Sequence, residues 1–194
     1  MDQDAAEIAT RELPAAAAAT GPLVSGWETD LADALVRSGC TTFALVPDKR
    51  LDPIVARLRT RGMLIRSLAQ EEECVAYAAG HMMAGGLTTV LMQSSGLGNA
   101  LNAIASLVLP YGLGMPIVIS MRGTIGERNP AQVPMGRATV PILTALGIQA
   151  FTARDPAQVE TIASGIVAMA QAGVTSAMLL DQELAGPARR ESGR

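Results

Sequence analysis

Six short apolar runs recur along this chain, at residues 42–46, 63–67, 88–92, 116–121, 149–153 and 176–180, and stretches with helical spacing separate them. Runs of this length read as strands, and Thr88 to Met92, β-branched and apolar throughout, reads as one buried on both faces. Their regular alternation with helices predicts one α/β, doubly wound domain: a six-stranded parallel sheet with helices on both faces. Local signals bound several helices. Ser25 and Glu28 form a capping box ahead of the stripe Trp27, Leu31 and Leu35, which ends at Gly39. Asp52 reads as a cap with Pro53 at the first helical position, and Asp155 with Pro156 repeats the pattern. Further helices are expected over 100–107, broken at Pro110, and over 140–146, with a long polar loop between Arg122 and Arg137.

A chain of 194 residues with 49% hydrophobic content suits one such domain, expected over 25–184, between a disordered arm (1–24) and a disordered basic tail (185–194). Two Phe, two Tyr and one Trp give no stacking platform for single-stranded nucleic acid, and a net charge of −3 does not favour phosphate backbones. Cys40 and Cys74 lack metal-ligand spacing, which fits a reduced setting. Neither a signal-peptide pattern nor an apolar stretch of membrane-spanning length is present, so a cytoplasmic protein is expected. His81 and the methionines Met82, Met83, Met92, Met115 and Met121 read as packing residues.

The central stretch, residues 70–99, carries the chemistry. Glu71, Glu72 and Glu73 precede Cys74, Val75, Ala78, Ala79, Met82 and Met83 at helical spacing, and Gly85-Gly86 stops the helix. A strand follows, and from its carboxyl end comes the loop Gln93-Ser94-Ser95-Gly96-Leu97-Gly98-Asn99, where open α/β sheets bind ligands. A dinucleotide fingerprint fails here, because Leu101 stands where the third glycine belongs and the loop follows the third strand. No Gly-Lys-Ser or Gly-Lys-Thr occurs, which excludes a P-loop.

Gln70-Glu71, Ala78-Ala79-Gly80, the loop from Met92 to Asn99, Arg122-Gly123 and Gln132-Val133-Pro134-Met135-Gly136 together resemble the pyrimidine-binding (PYR) domain of thiamine-diphosphate-dependent decarboxylases. Within that family the resemblance is to the sulfopyruvate decarboxylases first and the phosphonopyruvate decarboxylases next. It implies that Glu71 is the catalytic glutamate, which hydrogen-bonds N1′ of the cofactor's pyrimidine and favours the imino form that activates the thiazolium. It also implies that Gln93, Ser94, Ser95, Gly96, Leu97, Gly98 and Asn99 bind the cofactor beside it. Glu72 and Glu73 are left to complement the helix dipole. The family's Gly-Asp-Gly motif, which holds Mg²⁺ and the diphosphate, does not occur in this sequence. The resemblance therefore implies a partner β subunit that carries the diphosphate-binding domain and Mg²⁺, in a hetero-oligomer built on PYR-domain pairs. No metal ligand is expected on this chain, nor nucleic acid or membrane as partner.

Asp48, Lys49 and Arg50 follow the first strand, in a loop that lies near the substrate in related decarboxylases, so they are candidates for substrate contact as well as for a capping or surface role. Arg122 and Gln132 share that status, since basic and amide side chains at a strand's carboxyl end suit a sulfonate or phosphonate. The expected reaction is decarboxylation of a small anionic 2-oxo acid, with sulfopyruvate to sulfoacetaldehyde and CO₂ leading. Phosphonopyruvate decarboxylation and acetolactate-type carboligation are the enzymatic alternatives. A non-catalytic PYR-fold binding or regulatory subunit is the alternative of another class.

Overall fold

The computed structural model describes residues 26–185. Ser25, the arm expected over 1–24 and the tail expected after Ala185 lie outside the described residues. In chain order the elements are α1 (Trp27–Arg37), β1 (Thr42–Leu45), α2 (Asp52–Thr60), β2 (Leu64–Ser67), α3 (Glu71–Met83), β3 (Thr88–Gln93) and α4 (Gly96–Ala103). A π turn (Ile104–Val108) extends α4 and is followed by β4 (Pro116–Ser120), a 3₁₀ turn (Pro130–Gln132), α5 (Val133–Ala145), β5 (Gln149–Ala153), α6 (Pro156–Gln171), β6 (Ser176–Leu180) and a last 3₁₀ turn (Gln182–Ala185). The six strands form one parallel sheet in the order β2-β1-β3-β4-β6-β5.

Side chains alternate across the pleat and so build two cores, one on each face. Phe43, Leu45, Leu91, Val118, Met178 and Leu180 point to the face covered by α1, α2 and α6. Ala44, Val90, Met92, Ile117, Ile119 and Leu179 point to the face covered by α3, α4 and α5. The doubly wound arrangement expected from the sequence is the one found. Its polarity places every helix N-terminus that follows a strand at the carboxyl edge of the sheet. Because β1 lies between β2 and β3, the chain leaves it first to one side and then to the other, and a crevice opens where the connections diverge.

Local departures from expectation have physical causes. α1 is capped by Gly26 with no side-chain bond. α2 begins one residue early, with Leu51 as cap and Asp52 in the first turn. The glycine-rich loop is shorter than expected, since Gly96 to Asn99 already form the first turn of α4. Likewise α5 starts at Val133 and runs through Pro141, absorbing part of the expected polar loop. Met83 is exposed at 68%, whereas Met92, Met115 and Met121 are buried as expected. No helix among the described residues is long and apolar enough to cross a membrane.

Candidate active site

Three consecutive glutamates open α3, and each meets a different environment. Glu73 reaches back as a cap, its Oε2 accepting from the backbone N–H groups of Ala69 (3.0 Å) and Gln70 (3.2 Å). Glu72 faces solvent. Glu71 turns inward and is only 8% exposed. Its Oε2 accepts a hydrogen bond from Asn99 Nδ2 at 3.0 Å. Its Oε1 lies over the first turn of α4, where a Cβ on Gly96 would approach it to 2.2 Å. Gly96 therefore has no side chain because the carboxyl occupies that space.

This carboxyl forms one wall of the crevice at the divergence of β1 and β3. The crevice encloses about 310 Å³ and is lined by Val46, Pro47, Asp48, Lys49, Glu71, Gln93 and Ser95. Asp48 is anchored through Oδ2, which accepts from Ser120 Oγ (2.7 Å) and Gln93 Nε2 (3.4 Å), and through Oδ1, which accepts from the Arg50 backbone N–H (3.2 Å). Gln93 Oε1 in turn accepts from Ser95 Oγ at 2.6 Å. Ser94 lies beneath, fully buried, with its Oγ accepting from the Arg122 backbone N–H at 3.1 Å. Leu97 is in the core, and Gly98 passes close to Met135 of α5, with the Met135 methyl 3.4 Å from where a Cβ would stand. The structure thus brings Glu71, Gln93, Ser95, Asp48 and Lys49 to one crevice, with Ser94, Gly96, Leu97 and Asn99 shaping it from behind.

The arginines serve the scaffold. Arg50 donates through Nη1 to the Met121 carbonyl and through Nη2 to the Asp181 carbonyl, both at 3.0 Å, tying the β1 loop to the ends of β4 and β6. Burial lowers its pKa, an effect opposed by the Asp48 charge. Arg122 forms a two-pronged pair with Glu127, Nε to Oε2 at 2.7 Å and Nη2 to Oε1 at 2.8 Å. The same carboxylate accepts from the backbone N–H groups of Gly123 (3.1 Å) and Asn129 (2.9 Å) and from Gln182 Nε2 (3.1 Å). These bonds, the one to Arg122 foremost, hold Glu127 far below the usual carboxylate range, while Arg122 is raised. Gln132 has a buried Oε1 with no donor from the described residues.

Glu127, Ser120 and Gln182 were not picked out from sequence. Glu127 lies in the polar loop at no helical spacing from Arg122, and the Asp48–Ser120 bond spans 72 positions, so neither leaves a local signal. A second cleft at the amino end of the sheet is larger, about 560 Å³, but its lining, which includes Gly39, Gly85, Gly86, Gly112 and Gly114, carries no titratable side chain. Chemistry therefore concentrates in the smaller crevice. A carboxyl there, shielded from water and steadied by one neutral amide, can hold a proton or return it to a ring nitrogen presented to it.

Known proteins resemble this chain in sequence and in fold. Residues 27–132, more than half of the chain, match the family model described as "Thiamine pyrophosphate enzyme, N-terminal TPP binding domain". The chain is similar to sulfopyruvate decarboxylase subunit alpha of Methanothermobacter thermautotrophicus, 50% identical over 91 residues that cover 47% of this chain and 55% of the relative. It is 42% identical to the Methanococcus maripaludis protein of the same name, over 46% of this chain and 53% of the relative. Phosphonopyruvate decarboxylase of Streptomyces hygroscopicus is 36% identical over 57% of this chain and 28% of its own length. The matches to the two alpha subunits thus span about half of those proteins. Among solved structures, a 2-oxoglutarate:ferredoxin oxidoreductase from Magnetococcus marinus shares the fold, with a TM-score of 0.60 at 12% identity, over 82% of this chain and 29% of that one.

Proposed function

Because the chain belongs to the thiamine pyrophosphate enzymes through their N-terminal TPP-binding domain, we propose that it is the α subunit of a thiamine-diphosphate-dependent decarboxylase that converts sulfopyruvate to sulfoacetaldehyde and CO₂. The observation that carries this reading is Glu71: a buried carboxyl at a helix start, on the wall of the switch-point crevice, with a glycine left bare to admit it. Those residues fit the pyrimidine half of the cofactor. Glu71 would hold a proton at the ring nitrogen, with Asn99 fixing the carboxyl's orientation. Gln93 and Ser95 would line the ring's edge, while Ser94, Gly96, Leu97, Gly98 and Asn99 set the turn against which it rests. When bound, the cofactor supplies a carbon that attacks the 2-oxo group and takes up the electrons released with CO₂.

Asp48 and Lys49 line the same crevice and would meet the substrate. Arg50 and Arg122 act in this reading by holding the loops that carry the crevice, and Gln132 offers an acceptor for a donor arriving from ligand or partner. The diphosphate and Mg²⁺ belong to a β subunit, consistent with the subunit names of the relatives. Phosphonopyruvate as substrate is the second reading, supported by the Streptomyces relative. The test is to purify this chain with the product of the neighbouring gene, assay bound thiamine diphosphate by mass spectrometry, and follow CO₂ release from both substrates. A complex that holds the cofactor and decarboxylates sulfopyruvate is the expected result; one that holds no thiamine diphosphate would refute the proposal.

A further inference from the structure

We propose that Lys49 is the residue that reads the substrate's 3-substituent, and that the Asp48 carboxylate in the same lining sets a singly charged sulfonate ahead of a doubly charged phosphonate. This rests on the decarboxylase reading above and names the specificity element of that site.

Lys49 is the only lysine of the chain and the one cation among the residues that line the crevice. The two other cations that the sequence offers for this task are committed elsewhere. Arg50 spends both terminal nitrogens on the carbonyls of Met121 and Asp181. Arg122 is neutralised by the two-pronged contact with Glu127, whose carboxylate is fixed by three further donors.

The neutral side chains of the lining that can donate already bond within it. Ser95 Oγ donates to Gln93, and Gln93 Nε2 donates to Asp48. Behind them Ser120 Oγ also donates to Asp48. An anionic group entering this crevice meets the Asp48 and Glu71 carboxyl groups and one ammonium with no partner among the described residues. A lysine ammonium on a flexible stem can follow a tetrahedral SO₃⁻ group as a point charge.

The charge count then discriminates between ligands. A sulfonate carries one negative charge, which Lys49 attracts and Asp48 opposes. A phosphonate carries on the order of 1.5 to 2 negative charges near neutral pH, by analogy with phosphate monoesters, and the excess would face Asp48 without a second free cation. Like charges brought together at short range are unfavourable.

The test uses the complex of this chain with its partner and thiamine diphosphate, in two measurements. The first is kcat/KM for sulfopyruvate, phosphonopyruvate and pyruvate. The second is the calorimetric Kd for 3-sulfopropionate, which cannot be decarboxylated at a 2-oxo group, with propionate as the uncharged-tail comparison. Lys49→Met should lower the sulfopyruvate-to-pyruvate ratio of kcat/KM by roughly tenfold to a hundredfold, the effect of losing one charge-assisted bond, and weaken 3-sulfopropionate by a similar factor. Lys49→Arg should restore most of both. Wild type should favour sulfopyruvate over phosphonopyruvate, and the margin should persist or widen in Lys49→Met, because the more highly charged tail loses the larger attraction while Asp48 remains. Arg37→Gln, in an exposed pair with Glu160 away from the crevice, should change nothing.

Equal losses for sulfopyruvate and pyruvate, or no loss, would overturn the assignment to Lys49. A wild-type preference for phosphonopyruvate would overturn the discriminating role given to Asp48. If the complex decarboxylates none of the three acids yet binds 3-sulfopropionate through Lys49, the decarboxylase reading falls while Lys49 stands as a sulfonate contact. If it neither turns over nor binds, both fall.

Discussion

Position, and not charge, separates the three glutamates of α3, since one is buried, one is exposed and one is spent on the helix's own start. Glu71→Gln keeps size and polarity but cannot exchange a proton with a ring nitrogen, so hydrogen–deuterium exchange at thiamine C2 in the assembled complex should slow by roughly a hundredfold to ten-thousandfold. Glu72→Gln should leave that rate unchanged, because an exposed carboxylate near a helix start contributes only about 0.3 to 1 kcal/mol of stability. Fast C2 exchange in Glu71→Gln would reassign the site. Gly96→Ala is the structural counterpart: a methyl aimed at Glu71 Oε1 from 2.2 Å must displace the carboxyl, so this variant should also slow C2 exchange while retaining native circular dichroism. The two thiols give a simpler check on burial. Desolvation pushes Cys40 up to about 11 and Cys74 up to about 12, the latter aided by the charges of Glu71 and Glu73. Both should resist iodoacetamide at neutral pH until the chain is unfolded, since the thiolate is the reactive form.

Among the elements, the connection from β4 to α5 is held by a single carboxylate. Glu127 gathers Arg122, Gly123, Asn129 and Gln182, and through Gln182, which accepts from Thr124, it joins this connection to the turn after β6. Glu127→Gln should lower Tm, because the bidentate contact is lost and Arg122 is left without its counter-charge. The pH dependence has a definite sign. A carboxylate whose folded pKa lies below its unfolded value adds stability above the unfolded value and loses it as pH falls. Wild type should therefore lose stability as pH drops below the ordinary glutamate value of 4.5, and the Glu127→Gln profile should be flatter in that window; parallel thermal-melt profiles would exclude this role. Elements such as this also mark where sequence reading stops. The boundaries of β5 and β6 and the Asp155 cap of α6 were legible, because alternation, apolar content and the Asp-Pro signal are local. The place of Glu71 in the first turn of α3 was legible from helical spacing. The starts of α4 and α5 were not, since Gly96 and Gly98 in the first turn of α4 and Pro141 inside α5 oppose a helix locally. Tertiary contacts override them: Gly96 gives way to Glu71, and Gly136 lets α5 approach the Arg122 carbonyl, where a Cβ would come within 2.0 Å.

At the scale of the molecule, the crevice is lined by Glu71, Asp48 and Lys49, and among the described residues no group of three His, Cys, Asp or Glu side chains is placed to hold a metal ion. Met83 is 68% exposed at the end of α3 remote from the crevice, on the helix side that also shows Ala76 and Gly80, and Ile125 is 86% exposed on the turn after β4. We infer that these surfaces receive the partner and that the cofactor site is completed between the two chains. Two measurements separate this from a self-sufficient chain. On mixing with the partner, backbone amides of α3 and α4 should gain hydrogen-exchange protection, whereas those of α1, on the opposite face, should not. The second measurement is a thermal shift. A ligand at a hundred times its Kd stabilises the folded state by about 2.7 kcal/mol, which in a domain of this size raises Tm by several degrees. Thiamine diphosphate with Mg²⁺ should produce that rise in the complex and little or none in the isolated chain, which should also show no decarboxylase activity. If the isolated chain shows the full shift and turns over sulfopyruvate, the diphosphate must be held by residues of this chain, and the two-chain assembly of the site is wrong.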